Sequence, residues 1–396
     1  MWLFNEISEL YTPFDRVENA AMVVDAGRVV WVGPAAELPD AYLDDVTLVS
    51  LRNRAVLPGL VDSHTHLVWA GSRVDEYLRR ARGETYEAIL EAGGGIHNTV
   101  HATAAASEGE LFAGVLDRAR YMLTQGVTTL EIKSGYGLEA EQELKMLRVI
   151  RRLAGETPQH IEPTLLAHVI PTGWDRREYV EMFCRRLIPE VAREDLATAV
   201  DVFCDRGAFT LEETRRLFEV AAEHGLACKV HAEQLTHTGA TRLAAEMGAL
   251  SADHLEQTTP ADWQALAASS TVATLLPGAT VVLRKHLPDV RGMLDTGVKI
   301  AIATDHNPGS SPFYSLLLCL QFGIALGGMS AEEALIAGTV HAADALGLRD
   351  HGRLTRGAVA DFLVVDSPHA LAALYPWGKS VAAEVYVGGE RFGISD

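Results

Sequence analysis

Residues 56–73 read VLPGLVDSHTHLVWAGSR. An apolar run broken by Pro58-Gly59 leads into two histidines one residue apart, His64 and His66. Alternate residues of a half-buried strand share a face, so the two imidazoles point together. Two polar rings converging at a strand end are costly as ordinary core. They are reasonable as two ligands of one metal ion.

Outward from this stretch, apolar β-like runs alternate with amphipathic helical patterns. The strand candidates are GVTTLEIKS (126–134), ATAVDVFC (197–204), ACKVHAE (227–233), GALSADH (248–254), TVATLLPG (271–278) and VKIAIATD (298–305). The helix candidates EAEQELKMLRVIRRLAG (139–155), TLEETRRLFEVAAEHG (210–225) and SAEEALIAGTVHAADALG (330–347) carry apolar residues near i, i+3, i+4 and i+7. Such alternation predicts a parallel sheet, and at this length a (β/α)8 TIM-type barrel is its natural form. The chain ends read as short strands instead. AAMVVDAGRVVWVG (20–33) sets two apolar runs about Asp25-Ala26-Gly27, a hairpin signal, and VAAEVYVGGERFG (381–393) turns at a Gly-Gly pair. The expected architecture is α/β: a barrel over 57–350, and a small β-sandwich domain built from 1–56 and 351–396.

The bulk properties narrow the partners. The 396 residues, 48% hydrophobic and 22% charged, suit a large globular domain plus a smaller one. A net charge of -19 argues against a nucleic-acid partner, which needs clustered Lys and Arg. A small anionic substrate stays compatible, provided the pocket carries its own cation. Cys184, Cys204, Cys228 and Cys319 form no CxxC pair, which fits a reducing compartment better than a disulfide framework. The start, MWLFNEISELYTPFD, has no basic region before an apolar core, and SLLLCLQFGIALGGM (315–329), interrupted by Gln321, is too short to span a bilayer. A cytoplasmic protein with no membrane partner is expected.

In a barrel the functional side chains sit at the C-terminal ends of the strands. Those ends supply, in order, His64 and His66, Lys133, His168, His231, His254 and Asp305. One such histidine means little. Their recurrence at one end of successive strands points to a metal site, and three His with one Asp suit Zn²⁺ or Fe²⁺ with a position left for water.

VDSHTH, KVHAEQ and IATDHNPGSS resemble the amidohydrolase superfamily, whose members bind one or two metals at the mouth of such a barrel. With EIKSGYGL, LLAHVIP and GALSADHLE the chain is similar, over essentially its whole length, to the imidazolonepropionase family. The resemblance implies hydrolysis of the ring amide of 4-imidazolone-5-propanoate to N-formimino-L-glutamate in histidine degradation, by a metal-bound hydroxide. It implies that His64, His66, His231 and Asp305 hold one Zn²⁺ or Fe²⁺/Fe³⁺. Asp305 would also accept the proton of the bound water, and His254 would act as general base or polarise the substrate carbonyl. Binuclear relatives carboxylate a strand-end lysine. The one-metal resemblance makes Lys133 a buried charge partner instead. A homodimer is implied by resemblance alone.

A propionate in a partly dry pocket needs a cation, and a guanidinium offers two parallel hydrogen bonds. Arg73, in the loop above the first strand, matches the family's residue for that task. Tyr136 offers a hydroxyl and a ring face between two glycines. His168 and Gln234 match ring-contacting positions, and a neutral Gln both donates and accepts. Asn307, Gly309 and Ser310 are expected near the carboxylate or the opened product, with free backbone N–H groups forming an anion nest. His306 stands where a more apolar residue is expected and is read as facing away from the metal. His97 and His101 are read as mainly structural, in a loop that could hang over the pocket. The rivals are another amidohydrolase, a nucleobase deaminase or hydantoinase-like enzyme, and, from a different class, a non-catalytic scaffold. Retention of all four ligands opposes the scaffold, while Arg73, Tyr136 and NPGSS favour a carboxylate-bearing substrate.

Overall fold

The computed structural model describes residues 1–84, 88–89 and 94–393. The chain opens with β1 (Trp2–Tyr11), β2 (Arg16–Asp25), β3 (Arg28–Pro34) and β4 (Thr47–Pro58). It passes through eight short strands and returns in β13 (Phe362–Val365), β14 (Ala382–Val387) and β15 (Glu390–Phe392). These terminal strands form one continuous seven-stranded sheet in the order β15-β14-β13-β4-β1-β2-β3. The expected turns are there for the expected reason. Ala26 (φ 46°) and Gly27 (φ 77°) link β2 to β3, and Gly388 (φ 56°) and Gly389 (φ 78°) link β14 to β15. Two left-handed residues in a row match the twist of the flanking strands. The sheet closes over a core in which Phe362 stacks on Tyr386 at 4.4 Å and meets Phe4 edge-on at 5.0 Å.

Between these segments lie β5 (Leu60–Asp62), β6 (Val127–Lys133), β7 (His160–Ala167), β8 (Ala199–Cys204), β9 (Ala227–Ala232), β10 (Ser251–His254), β11 (Val272–Leu275) and β12 (Ile300–Ile302). They pair in parallel from β5 to β12 with helices between them. Closure is completed just beyond the strand ends. Thr304 donates its N–H and hydroxyl to Asp62 at 3.0 and 2.6 Å, Asp305 N donates to His64 O at 3.0 Å, and His66 N donates to His306 O at 3.0 Å. The strand before the histidines is fully buried rather than half-buried. A barrel strand has core on one face and helices on the other. The alternation that carries His64 and His66 to one side survives.

Capping boxes set the helix starts: Ser107 with Glu110 for Glu108–Thr124, Thr210 with Glu213 for Leu211–Glu223, Ser330 with Glu333 for Ala331–Ala337. Glu108–Thr124 is absent from the helices read from sequence, and β7 from the strands. In β7, Pro163 removes a ladder donor and so disguises the strand. Among the described residues, no helix is long and apolar enough to cross a membrane.

Gly59 is the joint between sheet and barrel. Its N–H donates to Asp361 O at 2.8 Å, and a Cβ there would stand 2.2 Å from Thr128 Oγ1 and 3.0 Å from Asp361 Cβ. Gly59→Ala is therefore expected to destabilise the protein by about 1–3 kcal/mol through overpacking. Urea unfolding checks this, and an unchanged midpoint would show that the joint has slack.

Candidate active site

The parallel register brings the polar strand ends to one mouth. His231 on β9 is level with Phe203 on β8 and Asp253 on β10. Beneath them is a layer of charge with no access to water: Glu131, Lys133, Asp201, Lys229 and Asp253 are all 0% exposed. Lys133 Nζ lies 2.5 Å from Glu131, 2.7 Å from Asp201 and 3.9 Å from Asp253, and Lys229 Nζ lies 3.7 Å from Glu131. Burial opposes the charge on Lys133, yet Asp201, Glu131 and Asp253 together raise its pKa. The ammonium is thus a charge partner of these carboxylates.

The same carboxylates orient the imidazoles above. Asp253 Oδ2 meets His64 Nδ1 at 2.6 Å, and Asp201 Oδ1 meets His231 Nδ1 at 3.1 Å. Each pairing makes Nδ1 the donor and turns an unprotonated Nε2 inward, where both Nε2 atoms are buried without a partner. One donor atom from each of His64, His66 and Asp305 lies within 4.8 Å of the other two. Asp305 Oδ1 sits 3.4 Å from His66 Nε2 and 3.6 Å from His64 Nε2. His231 joins through His64, the ring centroids being 4.5 Å apart. Burial holds His66 near a pKa of about 3 and His231 near about 4, and with the Lys133 charge drives His64 well below the usual histidine range. Neutral imidazoles are the ligand form.

This donor set fits a metal cofactor on charge as well as geometry. The ammoniums of Lys133 and Lys229 lie among more buried carboxylates than ammoniums, Glu131, Asp201 and Asp253 with Asp305 above. Burial raises the pKa of Asp253 and Asp305, a penalty on their charged form that a bound cation would relieve. Nitrogen and carboxylate donors of this kind suit zinc or iron.

His254, the last residue of β10, stands beside the cluster, 5.3 Å from His231 between centroids. Burial opposes its charge, but Glu256, Asp305 and Asp253 raise its pKa. The backbone here is strained. His254 (φ 79°), Leu255 (φ 74°), Glu233 (φ 50°) and Asp305 (φ 52°) all adopt the left-handed conformation. Side chains rarely tolerate it outside sites where direction matters more than comfort.

A cleft of about 90 Å³ is lined by His66, Arg73, Tyr136, His168, Gln234, His231, His254, Asp305, Asn307, Gly309 and Ser310, with Ile96 and Phe203 as apolar walls. Every residue singled out from the sequence as a site residue lines it, except His64, which lies beneath. Arg73 is buried, with Nε 2.6 Å from Glu76 and Nη1 3.3 Å from Thr99. Nη1 also faces Gly309, where a Cβ would be 3.1 Å away. His168 Nδ1 donates to Gly135 O at 3.0 Å, and burial pushes its pKa down to about 4, so Nε2 carries a lone pair.

The anion nest expected at 307–310 is not free. Asn307 Oδ1 accepts from Gly309 N at 2.9 Å and Ser310 N at 2.7 Å, and Asn307 Nδ2 donates to Asp305 O at 2.7 Å. An Asx side chain closing its own turn competes for those donors. His306 is kept out of the cleft by Phe313 O at 3.0 Å and the Tyr314 ring at 4.2 Å. His97 and His101 sit on a helix, Ile96–Ala105, rather than a loop, and Ile96 and Thr99 are its contributions to the site.

Sequence reading named Lys133 but missed its partners. Asp201 and Asp253 are acids inside apolar strands, and Glu131 lies two residues before Lys133 on the same face, a visible signal. Glu233 and Glu143 gave none. Glu233 accepts from Gly239, Ala240 and Thr241 N–H at 2.7–2.9 Å, and Glu143 accepts from Gly135, Gly137 and Leu138 N–H at 2.7–2.8 Å. They pin the loops that carry Gln234 and Tyr136.

Comparison with known proteins agrees with this geometry. The chain belongs to the amidohydrolase family, whose model matches residues 55–391. A model described as an imidazolonepropionase-like composite domain of bacteria matches residues 20–42. The chain is 47% identical to the imidazolonepropionase of Deinococcus radiodurans, covering 98% of this chain and 99% of that one. It is 48% identical to that of Pseudomonas putida, covering 91% of each. Within the amidohydrolases it therefore sits among the imidazolonepropionases. In fold it is similar to a zinc-bound adenosine deaminase from Xanthomonas campestris (TM-score 0.74, 20% identity, 98% and 92% coverage). The Aspergillus niger ochratoxinase gives a TM-score of 0.76 at 18% identity, with 99% and 95% coverage.

The charge layer predicts its own fragility. Lys133→Met leaves Glu131 and Asp201 buried without their ammonium and is expected to cost about 3–5 kcal/mol of stability. Chemical denaturation reads this directly, and a loss below about 1 kcal/mol would show that the layer is wetter or less ionised than its burial implies.

Proposed function

We propose that this chain hydrolyses the ring amide of 4-imidazolone-5-propanoate to N-formimino-L-glutamate, the step of histidine degradation that opens the ring. The observation that carries the reading is one small cleft lined by both an imidazole–carboxylate cluster and a buried guanidinium, Arg73. The cluster suits hydrolysis of an amide, and the guanidinium suits a carboxylate on the same molecule. Glu76 occupies Arg73 Nε and Nη2, but Nη1 faces the cleft wall beside Gly309, and a nucleobase would offer that cleft-facing end no carboxylate, which weighs against the deaminase alternative.

On this reading His64, His66, His231 and Asp305 hold one Zn²⁺ or Fe²⁺/Fe³⁺. Bound there, such an ion supplies a water acidic enough to ionise near neutral pH and an electrophilic contact for a carbonyl oxygen. The residues do the rest. Arg73 takes the propionate, its orientation fixed by Glu76. His168 accepts a ring N–H through Nε2, Gln234 donates and accepts at the ring's polar edge, and Tyr136 covers the ring. Asn307, Gly309 and Ser310 shape the wall beside the carboxylate, with the Ser310 hydroxyl as a further contact. His254 donates a hydrogen bond to the ring carbonyl oxygen as negative charge builds there. Asp305 takes the proton of the attacking water and passes it to the departing ring nitrogen, so that the carbon–nitrogen bond breaks with that nitrogen released as the neutral formimino group, still part of the product. The oxygen stays on carbon as the new carboxylate.

The same reading makes 57–350 the catalytic barrel, 1–56 with 351–396 the accessory domain, and the working enzyme a cytoplasmic homodimer.

Generating the substrate from urocanate with urocanase and following its ultraviolet absorbance tests the proposal. Loss of absorbance well above the spontaneous rate is expected, abolished by a chelator and restored by added metal. In His231→Ala, metal content and turnover are expected to fall together; full turnover from that variant would remove it from the ligand set. Arg73→Ala is expected to raise KM about 10- to 100-fold, the worth of a charged hydrogen-bond pair. Arg73→Lys, which keeps the charge but loses the fork, should fall between. An unchanged KM in Arg73→Ala would overturn its role as the carboxylate clamp.

A further inference from the structure

The catalytic cleft opens into a larger cavity of about 560 Å³, with which it shares Ile96, His168, Phe203, Gln234 and Ser310. Its inner wall is apolar, including Val169, Leu235, Val282 and Leu283, while Arg80, Arg206, Arg284 and Lys285 stand round it. Among the described residues, the single carboxylate lining it, Glu84, is taken up by Arg79 Nε at 2.7 Å. Arg80 is tied inward, donating to Gly309 O at 2.7 Å on the loop that carries Ser310. Arg206, Arg284 and Lys285 are exposed and, among the described residues, enter no ion pair.

Two further observations make this rim more than scattered surface charge. The whole chain carries -19, so its distant field repels an anion. Close to the mouth the charges lining it count most, and among the described residues the unpaired ones there, Arg206, Arg284 and Lys285, are positive. The second is conformational. Arg284 follows the helix Pro277–Val282 in the left-handed conformation, φ 55°, and Lys285 N then donates to Thr280 O at 2.9 Å. A helix end of this shape favours Gly or Asn. Arginine is not a residue this conformation favours, and here its side chain lines the cavity.

We infer that this antechamber is an anion-recruiting vestibule: its cations draw carboxylate-bearing small molecules out of bulk solvent and concentrate them at the cleft, where Arg73 takes over. The inference rests on the proposed function, which supplies the anionic substrate. The vestibule acts on encounter and capture and leaves the chemical step alone.

The test compares the metal-loaded enzyme with the triple variant Arg206→Gln, Arg284→Gly, Lys285→Gln on 4-imidazolone-5-propanoate. Ionic strength is raised from about 20 mM to about 500 mM, which shortens the Debye length from roughly 20 Å to roughly 4 Å. At low salt the triple variant is expected to lose about tenfold in kcat/KM, with kcat within about twofold of the parent. The parent's kcat/KM should fall as salt rises, and the two should converge at high salt. Arg284→Gly alone should melt no lower than the parent, because glycine accepts that φ freely, while still losing part of kcat/KM at low salt. Equal kcat/KM for parent and triple variant at low salt would overturn the inference. So would a deficit that persists at high salt, because that reports shape rather than charge. A parent that does not turn this substrate over at all defeats the proposed function first, and the vestibule falls with it.

Discussion

The whole site depends on Lys133, an ammonium fully buried between Glu131 and Asp201. Charges in such a place attract strongly, but removing them from water costs several kcal/mol each, so the layer persists only because its members satisfy one another. That mutual dependence rigidifies the barrel floor. Asp201 and Asp253 are held by lysine on one side and hold His231 and His64 on the other. An imidazole whose tautomer and direction are set this way needs no rearrangement to meet a ligand. The stability of the layer and the direction of the donors are one arrangement seen from two sides.

Above the floor, the structure spends its irregular backbone where direction matters. Left-handed φ at Glu233, His254, Leu255 and Asp305 turns the chain sharply as it leaves β9, β10 and β12. Buried carboxylates then hold the outgoing loops. Glu233 sits at the start of the helix Ala240–Met247, accepting N–H groups that helix cannot satisfy itself, and Glu143 does the same for the loop of Tyr136. Asn307 closes the third loop on its own backbone. Three loops that line the cleft are therefore pinned by acidic or amide side chains, Glu143 and Glu233 from outside the cleft and Asn307 from within its wall. Such pinning suits a site that must place two ends of a small, planar substrate at once.

Much of this was legible in the order of residues. Strand–helix alternation declared the barrel, because hydrophobic period follows directly from which face of an element is buried. Asp25-Ala26-Gly27 and Gly388-Gly389 declared their hairpins through the φ values such turns demand. The cleft residues could be read because barrel strands deliver their last residues to one mouth, whatever the loops do. Less could be read of β7, where Pro163 imitates a strand breaker, or of the turn at Asn307, whose side chain competes for donors that seemed open to a ligand.

The sequence by itself determined the topology, the set of polar strand ends and the chemical types of the donors. All three follow from local pattern and from the single direction of a parallel barrel. Tertiary structure alone decided which carboxylate faces which imidazole, which acids Lys133 meets, that Arg73 is half-engaged by Glu76, and that the cleft opens into a cationic vestibule. Apart from Arg73 with Glu76, those pairings join residues tens to hundreds of positions apart, such as His64 with Asp253. They are set by strand register and barrel closure rather than by spacing along the chain. An acid inside an apolar strand announces that it will be paired, because burying it alone is too costly. It cannot announce with what.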